Sequence, residues 1–142
     1  KLSDVRNTDG SIRAEVFLSA DRVKHGNAGV VYLNERLQKE IASYVQGRKW
    51  YEPDQPLFCT TANPRKGFSA NTMTQHFHYL YKQAGIAGGS SHSGRRTFIT
   101  TLANKGVSVR LLASLVRHAN ISTTQRYIDV NDDMKRRAVE LV

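Results

Sequence analysis

The sequence predicts an α+β fold, mainly helical, with a small antiparallel β-sheet at its N-terminal end. Two observations carry this. The first third holds two short alternating or β-branched stretches separated by a polar, glycine-punctuated tip. Beyond Asn34, apolar residues recur at spacings of three and four, and capping residues and glycine stops divide them into successive helices.

In chain order, Asn7-Thr8-Asp9-Gly10 is a turn signal, because Asp-Gly tolerates positive φ. Ile12, Ala14, Val16 and Leu18 alternate as a strand does, and Val30-Val31-Tyr32-Leu33 reads as a second strand. Residues 21–29 form the hairpin tip between them. Asn34 is placed to cap a helix whose inner face carries Leu37, Ile41, Tyr44 and Val45. Pro53 and Pro56 mark a loop, Leu57 to Thr60 a short buried stretch, and Pro64 and Gly67 another loop. A second helix is expected over roughly 71–84, stopped by Gly85. After a Gly/Ser loop, a third is expected over about 93–104, ending at Gly106. Ser108 caps a fourth, with Leu111, Leu112, Leu115 and Val116 inside. Asn120 to Thr123 is a turn, a short helix carries Tyr127, and Asn131-Asp132-Asp133 starts a basic helix to Val142.

The 142 residues fit one domain, and an apolar fraction of 39% is enough for a single core. A lone cysteine, Cys59, excludes an internal disulfide framework, and in Leu57-Phe58-Cys59 it reads as a buried residue. The Cys and His spacing offers no metal-ligand cluster, so no metal or other cofactor is expected. No apolar run approaches the ~18 residues of a membrane span, and Lys1-Leu2-Ser3-Asp4 begins no signal-peptide core. A soluble, cytoplasmic protein is expected. The charge is more pointed: 21 Lys and Arg against 12 Asp and Glu, a net +9, favours a polyanionic partner, of which nucleic acid is the commonest.

Two polar clusters could carry chemistry. His92 and Arg95 lie three apart at a helix start, where free N–H groups and a flat guanidinium favour an anion such as a phosphate. Arg96 follows but projects from another side. By themselves these residues also fit a solvated helix start. The second cluster runs from Leu115 to Tyr127 and holds His118 and, nine residues on, Tyr127. A lone tyrosine is ordinarily a packing residue. It becomes a nucleophile where nearby cations lower the cost of its phenolate.

His92-Ser93-Gly94-Arg95, followed by Arg96-Thr97-Phe98, resembles the His-x-x-Arg box of the tyrosine recombinases, the phage-integrase family. Leu115 to Tyr127, with Thr123-Thr124 before the tyrosine, resembles their second box, and the spacing between the boxes is family-like. Lys24 occupies the place of the family's β-hairpin lysine, although no second basic residue follows in the tip. Leu2-Ser3-Asp4-Val5 resembles the stretch after the family's first arginine. The resemblance therefore implies that this arginine precedes Lys1, that the N-terminal core-binding domain also lies outside the chain, and that residues 1–142 are a catalytic-domain fragment of the DNA breaking-rejoining type.

The resemblance implies a site-specific recombinase or integrase acting on double-stranded DNA without metal or ATP. Tyr127 would be the nucleophile, forming a 3′-phosphotyrosyl link. Arg95 would clamp the phosphate, His92 would assist proton transfer, His118 would bond a non-bridging oxygen and Lys24 would be the general acid. Arg117, Arg126, Arg96 and Lys66 would contact backbone phosphates, which position DNA without reading sequence. The partners implied are duplex DNA and three further copies, a monomer becoming a tetramer on paired sites. The C-terminal helix would dock on a neighbouring protomer or fold back in cis. Two rival readings stay open: a DNA-binding fragment that cuts nothing, and a type IB topoisomerase, which the closely spaced boxes disfavour.

Overall fold

The computed structural model describes residues 1–23, 26–48, 52–60, 62–130 and 132–142. It has the expected α+β composition. The chain divides into two compact units, Lys1–Thr72 and Met73–Val142.

The first unit opens with a one-turn helix, α1 (Leu2–Val5), too short to leave a periodic signal in the sequence. Leu2 and Val5 are buried, and the backbone N–H of Leu2 donates to the Gln55 carbonyl at 2.9 Å. The sheet is a single antiparallel pair, β1 (Glu15–Leu18) and β2 (Gly29–Tyr32), with Val16 opposite Val31 and Phe17 opposite Val30. The first strand is shorter than the alternation from Ile12 suggests, since Ile12 forms only an isolated bridge to Arg6. Asn34 caps α2 (Glu35–Gln46) as expected, its Oδ1 accepting from the Leu37 N–H at 2.9 Å.

The inner face of α2 is narrower than expected. Val45 is buried, but Leu37 and Tyr44 are 44% and 42% exposed. The stretch from Leu57 to Thr60 is not buried either. It forms one bridge, Cys59 to Gly67, and is held from outside by Arg48, whose guanidinium donates to the Pro56 and Leu57 carbonyls and to Cys59 Sγ. Cys59 is accordingly half-buried rather than a core residue.

The helix α3 (Ala70–Gln83) leads into the second unit, followed by α4 (Ser93–Asn104), α5 (Val109–Leu115), α6 (Ile121–Gln125) and α7 (Asp132–Val139). Its core is small. Ile99 and Ala103 of α4 meet Leu112 of α5 and Val116, with Leu102, Val107, Tyr127 and Ile128 against them. Ser108 caps α5, as the sequence suggests. On that seven-residue helix the inward arc reaches Leu112 but not Leu111, which is 52% exposed rather than inside. Asn120 begins no turn: its Oδ1 accepts from the Ser122 N–H and caps α6, which takes in Thr123. Helix α7 ends at Val139, three residues short of the expected Val142, and Leu141 beyond it is 88% exposed.

The neighbouring leucines give a direct check on this packing. Leu112→Ala is expected to lower stability by about 3 kcal/mol, the loss of a fully enclosed side chain. Leu111→Ala should cost less than about 0.5 kcal/mol, both read from urea unfolding.

Candidate active site

The second unit places Arg95, His118 and Tyr127 around its core. Arg95 lies on α4 one turn before the buried Ile99, so the residue that anchors the helix also fixes the arginine's register. Arg95 is an exposed residue, yet its Nη1 donates to the Val116 carbonyl at 3.3 Å. That carbonyl sits at the end of α5, two residues before His118.

The chain turns sharply there. Arg117 adopts φ 56, and its N–H and that of His118 donate back to Ser114 and Ala113. The turn delivers the His118 ring to α6, where Nδ1 meets the hydroxyl of the fully buried Thr124 at 2.9 Å. Burial pushes the His118 imidazole below its usual value, and the positive charge of Arg95 pushes it further down. The ring is thus neutral near pH 7. In the tautomer with hydrogen on Nε2, Nδ1 accepts from Thr124 and Nε2–H remains to donate.

The Tyr127 ring lies 6.3 Å from that of His118, tilted by 32°. Tyr127 is not carried on a helix. α6 ends at Gln125, and Tyr127 follows in a turn closed by its N–H to the Thr124 carbonyl. Its half-buried ring rests on the core. A tyrosine in a turn has backbone freedom that one locked inside a helix lacks.

His92 is the N-terminal cap residue of α4, exposed, one turn before Arg95. Its backbone N–H donates to Ser90 Oγ at 3.4 Å, in a loop where the Ser90 N–H donates to Ser93 Oγ at 2.9 Å. Its ring forms no hydrogen bond among the described residues. Arg96 and Arg126 are likewise exposed on either side of the cluster. Lys66 is exposed in the first unit, and Lys24 lies outside the described residues.

Three features escaped the sequence reading. Thr124 reads as a helix-surface residue but is the buried partner of His118. Gly89 reads as loop filler, but its backbone lies directly on the Tyr81 side chain: a Cβ there would come within 2.7 Å of Tyr81 Cβ and 2.8 Å of Cδ1. The contact braces the loop that leads into α4. The third feature is the distribution of charge. None of the 12 acidic residues, but nine of the 21 Lys and Arg, lie between Gln55 and Ile128. The remainder balances at 12 against 12, so this stretch carries the entire net +9.

Comparison with known proteins identifies the family and the fold. The phage integrase family matches residues 1–134. Tyrosine recombinase XerA of Pyrococcus horikoshii is 32% identical over 125 residues, 87% of this chain and 43% of that protein. Tyrosine recombinase XerC of Pelobacter propionicus is 30% identical over 112 residues, 78% of this chain and 36% of that one. The chain therefore spans about two fifths of the length of these relatives. Among solved structures, a XerA recombinase crystal structure aligns with a TM-score of 0.72 at 25% identity, covering 99% of this chain and 50% of the other. The Tn1549 transposon integrase in complex with transposon right end DNA shares the fold, with a TM-score of 0.62 at 19% identity, over 99% of this chain and 53% of that one.

Two outcomes follow from the geometry. A histidine whose imidazole is held below its usual value binds fewer protons folded than unfolded. Its contribution is therefore present above the unfolded value, 6.5, and is lost as pH falls through the lower folded value. Urea-unfolding stability should fall as pH drops below 6.5, and His118→Gln should flatten the drop. Gly89→Ala should destabilise by about 2 kcal/mol through overpacking against Tyr81, with part of the loss restored by adding Tyr81→Ala.

Proposed function

The chain belongs to the phage integrase family of tyrosine recombinases, and on that premise we propose that it is the catalytic part of a site-specific recombinase that cleaves and rejoins duplex DNA through Tyr127. The observation that carries the reading is the convergence, in an acid-free stretch of chain, of three groups suited to phosphoryl transfer: the Arg95 fork, the neutral His118 ring and the Tyr127 phenol.

In this mechanism Tyr127 Oη attacks the scissile phosphorus. The P–O5′ bond breaks, its electron pair leaves with the 5′ oxygen, and a 3′-phosphotyrosyl link remains. Arg95 neutralises charge on the non-bridging oxygens, and Nε2–H of His118 donates to one of them. His92 takes part in moving the phenolic proton, and Lys24 supplies a proton to the leaving oxygen. One phosphodiester is exchanged for another, so rejoining needs only the attack of a free 5′-hydroxyl on the link. Lys66, Arg96 and Arg126 contact backbone phosphates. The active assembly is a tetramer on paired sites, with α7 packing on a neighbouring protomer, and the free protein is a monomer. The chain is then one catalytic-domain segment of a longer recombinase.

The test is a pool of nicked duplexes of randomised sequence, from which SDS-resistant protein–DNA adducts are recovered. A version extended upstream of Lys1 through the arginine that the resemblance implies is expected to form adducts, its Tyr127→Phe variant none, and residues 1–142 alone far fewer. Arg95→Ala should form them about 10²–10³-fold more slowly, as for a lost oxyanion donor. An adduct that survives Tyr127→Phe assigns the nucleophile elsewhere. Duplex binding without adduct from any form overturns cleavage and leaves a binding segment.

A further inference from the structure

Resting on the DNA-cleaving reading above, we propose that Arg117 is a phosphate-binding residue of the reaction centre, retained at a backbone position better suited to glycine. Three helices of the second unit end in the same way. After α3, the N–H groups of Gly85 and Ile86 donate to Lys82 and Tyr81 at 3.1 and 2.9 Å. After α4, those of Gly106 and Val107 donate to Ala103 and Leu102 at 2.9 and 3.1 Å. After α5, those of Arg117 and His118 donate to Ser114 and Ala113 at 3.1 and 3.0 Å. The first residue of each pair is left-handed, at φ 69, 85 and 56. Glycine fills that place twice. The third time it is arginine, the only non-glycine residue of positive φ among the described residues.

A left-handed backbone brings a Cβ against its own peptide group, and glycine is free of this opposition. Arginine, unlike asparagine, has no short polar group to relieve the strain locally. Helix termination by itself would be served better by glycine, so the side chain has another use. Its position indicates which. Arg117 stands between Val116, whose carbonyl holds Arg95, and His118, whose ring faces Tyr127. Arg117 also belongs to the acid-free stretch from Gln55 to Ile128 that carries the net positive charge. Arg117 is half-buried, and its guanidinium carries five donors, enough to keep a contact within the protein and still clasp a phosphate oxygen. The strain thus fixes a cation beside the reacting phosphate, one residue from each of the two positions that set up Arg95 and His118.

The test compares the wild-type chain with Arg117→Gly and Arg117→Lys by two measurements: thermal unfolding without DNA, and anisotropy titration of a mixed-sequence duplex at a series of salt concentrations. Arg117→Gly is expected to melt higher than wild type by about 3 °C, as strain is relieved. The slope of log affinity against log salt should at the same time weaken by about 0.9, the loss of one phosphate contact. Arg117→Lys keeps the charge and should keep the slope. A lower melting temperature for the glycine variant would mean that the side chain serves the fold, and an unchanged slope would mean that it touches no phosphate. Either result overturns the proposal. If the wild-type chain shows no salt-dependent duplex binding, the DNA reading itself fails and the proposal falls with it. If wild type binds and Arg117→Gly binds identically, only the assignment of Arg117 fails.

Discussion

The packing of Ile99 against Leu112 is the contact on which the second unit depends. Both side chains are fully enclosed, and the cluster around them is small enough that few other contacts could replace it. Each residue of the candidate site is tied to that cluster over a short covalent path. Arg95 is one helical turn from Ile99. Val116 belongs to the cluster and offers its carbonyl to Arg95. Tyr127 lies on the cluster through its own ring. A small core of this kind makes site geometry and stability inseparable, because a shift in the α4–α5 packing moves the arginine and the histidine together.

The reversal after α5 has a different character. Helix stops at Gly85 and Gly106 are local matters that glycine settles alone. The stop at Arg117 sets the direction in which His118 leaves α5 and meets Thr124, so a backbone angle governs a side-chain hydrogen bond. Thr124 in turn fixes which ring nitrogen faces outward. The neutral histidine, the buried hydroxyl and the turned backbone form one unit, and none of the three would have the same effect alone.

Much of this was legible in the sequence, for identifiable reasons. The caps at Asn34 and Ser108 and the stops at Gly85 and Gly106 act within four residues, so local sequence suffices to find them. The resemblance of two boxes to a known family grouped His92, Arg95, His118 and Tyr127 as candidates, and the structure brings Arg95, His118 and Tyr127 around one core. What local sequence could not supply is whatever depends on distant partners. Cys59 looked buried among apolar neighbours, but its surroundings are set by Arg48, eleven residues away. Leu111 and Leu112 are alike in type, and only the direction of the neighbouring α4 decides which one is covered. A short helix carrying Tyr127 was expected, whereas the helix ends at Gln125 and Tyr127 follows in a turn closed onto Thr124. The role of Thr124 was invisible because nothing in a Thr-Thr pair says which hydroxyl points inward.

The confinement of the net charge to the stretch from Gln55 to Ile128 has a consequence for encounter, before any contact is made. Here the rest of the chain is electrically balanced, so the net long-range pull toward a polyanion originates in that stretch of sequence. Added salt shortens the range over which the pull acts. Ionic strength then governs how often the chain meets such a partner, as well as the strength of the complex that results.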